Sequence, residues 1–148
     1  MTQAYPIAHI IHLFCAVIFV GGVFFEALIL SVLHSKTVPR EVRQTAEKAI
    51  SARAVRVMPF VVAGVFLSGL LLAHRYAAVL RAPWESAFGI QLALKIALAC
   101  GVLLHFLIAV CKMRRGTLTA AWSRYIHAAV LVQMIAIVLL AKTMFYIA

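Results

Sequence analysis

Four long apolar stretches, at about 6–33, 54–74, 87–111 and 120–146, alternate with short segments that gather most of the charged side chains. Each stretch meets or exceeds the roughly 20 residues that a helix needs to cross about 30 Å of hydrocarbon at 1.5 Å per residue. A helix satisfies its own backbone polar groups in lipid, so all four predict as transmembrane helices. The expected fold is all-α: an integral membrane four-helix bundle running up-down-up-down. The whole of 1–148 is expected to form a single transmembrane domain, with loops at 34–53 and 112–119. The stretches show no internal repeat, and no soluble domain or low-complexity linker interrupts them.

The polar segments add an orientation. Lys36, Arg40, Arg43, Lys48, Arg53 and Arg56 lie between the first two stretches, and Lys112, Arg114, Arg115 and Arg124 between the last two. These are ten of the fourteen basic residues, whereas the connection between the second and third stretches offers only Arg75 and Arg81. The positive-inside rule then turns both basic connections to the cytoplasm and both termini outward, to the periplasm of a bacterial inner membrane. In the first connection Pro39 can open a helix. From Glu41 to Arg56 charges alternate with Ala, Val and Ile, which predicts a helical, partly interfacial extension of the second helix. Gly21-Gly22, Gly64 and Ser68-Gly69 are expected to let helix backbones approach closely, and Pro59 to loosen the first turn of the second helix.

Composition agrees with this pattern and narrows the partners. Hydrophobic residues make up 66% of the chain and charged ones 12%, and the mean hydropathy is +1.06. A soluble domain needs a far more polar surface, so the solvent around most of this chain is lipid. The net charge of +10 is accounted for by topology, which points to anionic lipid headgroups and away from nucleic acid. Cys15, Cys100 and Cys111 are odd in number and sit in apolar runs, against a disulfide framework. No basic side chain lies between Met1 and Pro6, so the first stretch reads as a retained helix and not as a cleaved leader.

The polar residues inside the apolar stretches carry the candidate chemistry. His9 and His12 lie near the outer end of the first helix, His74 at the outer end of the second, and His34 beside the basic connection. His105 and His127 fall at similar depth on the cytoplasmic side of the third and fourth helices. Imidazole in a membrane generally faces a bundle interior or a site, and it is a standard ligand for haem iron and for copper. Lys95 lies within the third helix, where an ammonium can only partly snorkel. Glu26 follows His12 by fourteen residues, which returns it to within about 40° of the same helix face. Two roles stay open for this pair of charges. They could neutralise one another, or Lys95 could bind a carboxylate of a substrate or of haem while Glu26 moves protons. Met58, Met134 and Met144 with Cys15 could serve Cu(I), but they lack any tight spacing, which favours packing. No Gly-rich phosphate loop and no Ser/His/Asp arrangement is present.

Several short motifs resemble a known family. The run from Trp84 to Lys95 (WESAFGIQLALK) resembles the helix entry of CopD-type copper-resistance membrane proteins, as do Leu67-Ser-Gly-Leu-Leu71 and His12 followed by Gly21-Gly22. The related HemJ-type protoporphyrinogen oxidases have a pattern similar to Arg53-Ala-Val-Arg56-Val-Met-Pro59, to Lys95 followed by His105, and to Met134-Ile-Ala-Ile-Val. The resemblance implies a bundle like that of two-haem cytochrome b proteins. It also implies haem b held by His12, with Lys95 required for activity. The other histidines in the helices add one or more of His74, His105 and His127 as further iron ligands, and Arg56 is a further candidate cofactor contact. His12 and His105 are then the metal ligands. The activity implied is that of a membrane oxidoreductase, passing electrons or oxidising a quinol or a porphyrinogen. Copper uptake or resistance is the alternative. A purely structural subunit, as a homo-oligomer or within a larger membrane complex, is a third reading.

Overall fold

The computed structural model describes residues 4–146, and it is all-α throughout them. Helix α1 spans Ala4–Leu28, followed by a 3-10 turn at Leu30–His34; α2 spans Arg40–His74 and the short α3 Ala77–Arg81. A second 3-10 turn at Pro83–Glu85 leads into α4, Ala87–Arg114, and α5 runs over Ala120–Thr143. Four of these helices are long and apolar enough to cross a membrane, and the chain is a multi-pass membrane protein. Their side chains face outward to a degree that water would not tolerate: Phe60 is 81% exposed and Leu70 70%. The chain divides into two compact units, Met1–Leu72 and Ala73–Ala148.

In the first unit α1 and α2 run antiparallel. The ring of His12 meets Gly69, Cys15 meets Gly64 and Gly22 meets Met58, so each step forward along α1 is a similar step back along α2. Small residues set this spacing, because lipid tails provide no hydrophobic force between helices and close van der Waals packing must do so. Gly22 takes part, whereas Gly21 has nothing within 4 Å of the place its Cβ would occupy. Ala8 and Phe19 of α1, with Val61, Val62 and Ser68 of α2, are buried.

Helix α2 is longer than its apolar stretch. Much of the segment expected as a loop at 34–53 is helix, and only residues 35–39 separate the 3-10 turn from Arg40. The Pro39 carbonyl accepts the Arg43 N–H at 3.1 Å, opening the helix where expected, and Glu41 lies in the first turn, where the helix dipole favours an anion. His34 lies 3.2 Å from Glu47, tying the 3-10 turn to this extension. At 35 residues α2 is about 52 Å long, some 22 Å more than the hydrocarbon layer needs. Pro59 is therefore not in the first turn. It is the twentieth residue of α2, in the helix interior, where its missing N–H leaves the Val55 carbonyl without its usual helical donor.

In the second unit α4 and α5 form an antiparallel hairpin. Gln91 meets Thr143, Gly101 meets Gln133 and Lys112 meets Trp122: twenty-one residues forward on α4 match twenty-one back on α5. That rise, about 31 Å, equals the thickness of a hydrocarbon core. Leu92, Val102, Ile126, Val130 and Met134 line the contact. Ser86 caps α4 by accepting the Gly89 N–H at 3.0 Å, and Thr119 caps α5 through the Trp122 N–H at 3.3 Å.

The turn between α4 and α5 is closed by a Schellman motif. The Gly116 N–H donates to the Met113 carbonyl at 3.1 Å and the Thr117 N–H to the Lys112 carbonyl at 2.9 Å. Gly116 holds a φ of 65°, which costs a side-chain-bearing residue about 1–2 kcal/mol. Gly116→Ala should lower the stability of the detergent-solubilised protein by about 1 kcal/mol in a circular-dichroism melt. Gly116→Asn, which tolerates this conformation, should cost less.

Candidate functional site

The polar chemistry of the first unit centres on His12. Its Nδ1 lies 3.0 Å from the Val65 carbonyl and 3.2 Å from the Ser68 hydroxyl, and the ring edge lies against Gly69. A carbonyl can only accept, so Nδ1 carries the proton and the ring's lone pair is on Nε2. Ser68 is 4% exposed and donates back to the Gly64 carbonyl one turn earlier, in the usual habit of a hydroxyl inside a membrane helix. One turn beyond His12, Cys15 fills the notch at Gly64. The small residues of α2 thus make a cleft that takes an imidazole and a thiol from α1. Glu26 is exposed, about 21 Å along α1 from His12. Arg56 and His74 are also exposed; Arg56 lies at the middle of α2, on the face away from α1, and His74 is its last residue.

The second unit carries polar residues at three levels. Near the start of α4 the Thr143 hydroxyl donates to Gln91 Oε1 at 3.1 Å, and the half-buried Lys95 places Nζ 4.0 Å from Met144 Sδ. A thioether is a weak acceptor for an ammonium, so this cation has capacity for a stronger anionic partner. Midway, the Gln133 amide occupies the space left by the missing side chain of Gly101, and a Cβ there would lie 2.5 Å from Gln133 Nε2. Gln133 Oε1 is buried with no hydrogen-bond partner among the described residues. An unmet buried acceptor costs about 1–3 kcal/mol. Gln133→Met should therefore raise the thermal midpoint, by an amount equivalent to about 1 kcal/mol, unless the amide serves a ligand.

Deeper still lie His105 and His127. Each donates Nδ1–H to the carbonyl one turn earlier, Gly101 and Ser123, at 2.7 Å. By the register of the hairpin they sit at nearly the same level, as their sequence positions imply. They do not point the same way. The His105 ring approaches Tyr125, with centroids 6.0 Å apart, and His127 is two residues or 200° around α5 from Tyr125. His12, Glu26 and Arg56 belong to the first unit, and His74, Lys95, His105 and His127 to the second. Among the described residues no three His, Cys, Asp or Glu side chains cluster to hold a metal ion.

No family model, curated protein or solved structure matches this chain.

Four residues had no such roles in the sequence reading: Ser68 as the partner of His12, Gln91 with Thr143, and Gln133. The two glutamines were visible as isolated amides in apolar helices, a costly placement that marks a packing partner or a site. Ser68 gave no such signal, since a serine in a membrane helix can satisfy itself on its own backbone.

Proposed function

We propose that the chain is a haem-b-binding protein of a bacterial inner membrane, with both termini periplasmic, acting in electron transfer or in oxidation of a quinol or a porphyrinogen. One observation carries the reading. His12, His105 and His127 each give Nδ1–H to a main-chain carbonyl at 2.7–3.0 Å. That hydrogen bond fixes the tautomer and orientation in which Nε2 is the basic nitrogen, the arrangement that ring-ligating histidines use toward a metal.

The donor set fits haem. His12 would hold the iron, with His105 or His127 as further candidates, and apolar helix faces would surround the ring. When bound, haem supplies a one-electron couple whose potential the axial ligand and the dryness of the site tune. Lys95, near the Gln91–Thr143 pair, would take a carboxylate of an acidic substrate, or of a haem held by a histidine of its own unit. Glu26 would exchange protons with the aqueous phase.

The test is the absorption spectrum and metal content of the protein purified in detergent. Iron with a Soret band that shifts on reduction is the expected outcome. A colourless protein that takes up no added haem would sink the reading, and stoichiometric copper in place of iron would replace it with copper handling.

A further inference from the structure

The turn end of the α4–α5 hairpin has a charge that nothing in its own unit compensates. Lys112, Arg114, Arg115 and Arg124 gather there, while the one acidic residue from 73 onward, Glu85, lies at the opposite end. Twenty-seven residues separate Glu85 from Lys112, about 40 Å of helix. No carboxylate of this unit can neutralise these cations.

The same end presents an apolar surface. Lys112 Nζ sits 4.5 Å from the centroid of the Trp122 ring, and Trp122 packs edge-on against Tyr125 with centroids 5.8 Å apart. Both rings are exposed, at 43% and 57%. A shallow, wide-open groove runs beside Ala121, Trp122 and Tyr125, and its lining is almost wholly apolar. On α5, Arg124 stands about 60° around the helix from Ala121, so the groove has Lys112 on one flank and Arg124 on the other. The Lys112–Trp122 contact lies about 31 Å from the Gln91–Thr143 contact. The groove therefore falls at the edge of the hydrocarbon, where Trp and Tyr rings concentrate.

We propose that this groove is a binding seat for one anionic phospholipid. Its phosphate lies between Lys112 and Arg124, and its glycerol and upper acyl chain lie against Ala121, Trp122 and Tyr125. Charge complementarity selects the occupant. A zwitterionic headgroup brings its own cation against four others, whereas an anionic one does not. A free phosphate lacks the chain that the apolar lining would cover. The opposite end of the hairpin also has a cation over a ring, Lys142 Nζ at 5.6 Å from Tyr146, but Glu85 shares that end. It serves as the internal control. The seat is independent of any haem, so its failure and that of the haem reading are separate results.

The test uses the full chain with Trp84→Phe, leaving Trp122 as the only indole, in vesicles of phosphatidylcholine and phosphatidylglycerol. Brominated acyl chains are placed on one lipid or the other at equal mole fraction. Each cation near the surface favours an anionic lipid by about fivefold, so brominated phosphatidylglycerol should quench Trp122 several-fold more effectively than brominated phosphatidylcholine. That preference should fall toward unity in Lys112→Gln with Arg124→Gln, and weaken in high salt, but survive Lys142→Gln. Circular dichroism checks that the variants keep their helices. Equal quenching by the two lipids would overturn the seat, as would a preference that survives loss of both cations or is abolished by inorganic phosphate alone.

Discussion

Replacing His12 by alanine is expected to remove the Soret band of the purified protein, and replacing it by asparagine should do the same. The two variants differ in what else they lose. Asparagine can keep an N–H near the position of Nδ1, within reach of the Val65 carbonyl and the Ser68 hydroxyl, while offering no nitrogen in place of Nε2. Alanine abandons both contacts and leaves a void beside Gly69. It should cost about 1–2 kcal/mol in a thermal melt. Free imidazole should fill that void and restore part of the band. A full-intensity spectrum in the asparagine variant would show that His12 only locks α1 to α2. An absorption titration with haem and a parallel circular-dichroism melt separate these outcomes.

The second large effect concerns the cleft itself. A Cβ at position 64 would lie 2.6 Å from Cys15 Sγ, closer than real carbon–sulfur contacts, but 3.6 Å from Cys15 Cβ, an ordinary one. Gly64→Ala should therefore push α1 and α2 apart and destabilise the hairpin by about 1–3 kcal/mol. Cys15→Ala alone removes only a small, half-buried group. The double variant removes the collision and should recover most of the loss, giving a favourable coupling of about 1–2 kcal/mol in a double-mutant cycle. Additive losses would mean that Gly64 acts through backbone conformation and not through contact with Cys15.

The helices were legible because lipid imposes a simple rule on every residue that touches it. Their lengths were less legible. A hydropathy stretch measures how much of a helix lipid can surround, not where the helix starts. Arg40 to Arg56 is rich in Arg, Ala, Glu and Lys, all good helix formers, so α2 continues far past its apolar part. Pro59 was misplaced for that reason alone. His12 was legible as a costly residue, but its partners depend on the register between α1 and α2. That register is set by which notch, Gly64 or Gly69, receives which side chain, a fact about two helices at once. The agreement in level of His105 and His127 followed from an antiparallel hairpin. Their differing directions required the angular position of Tyr125.

The length of α2 and the place of Pro59 together have a mechanical consequence. Nineteen residues, about 28 Å of helix, lie between Pro59 and the tip at Arg40, and the proline has removed one of the hydrogen bonds that would stiffen the rod at its base. A bend of about 20° there, an ordinary angle for a proline kink, sweeps the tip through about 10 Å. A displacement of an ångström or so at the level of Met58 and Gly22 is thereby enlarged several-fold at the far end. A bend at Pro59 would make the charged half of α2 a lever, its fulcrum one residue beyond Met58, the side chain that meets α1.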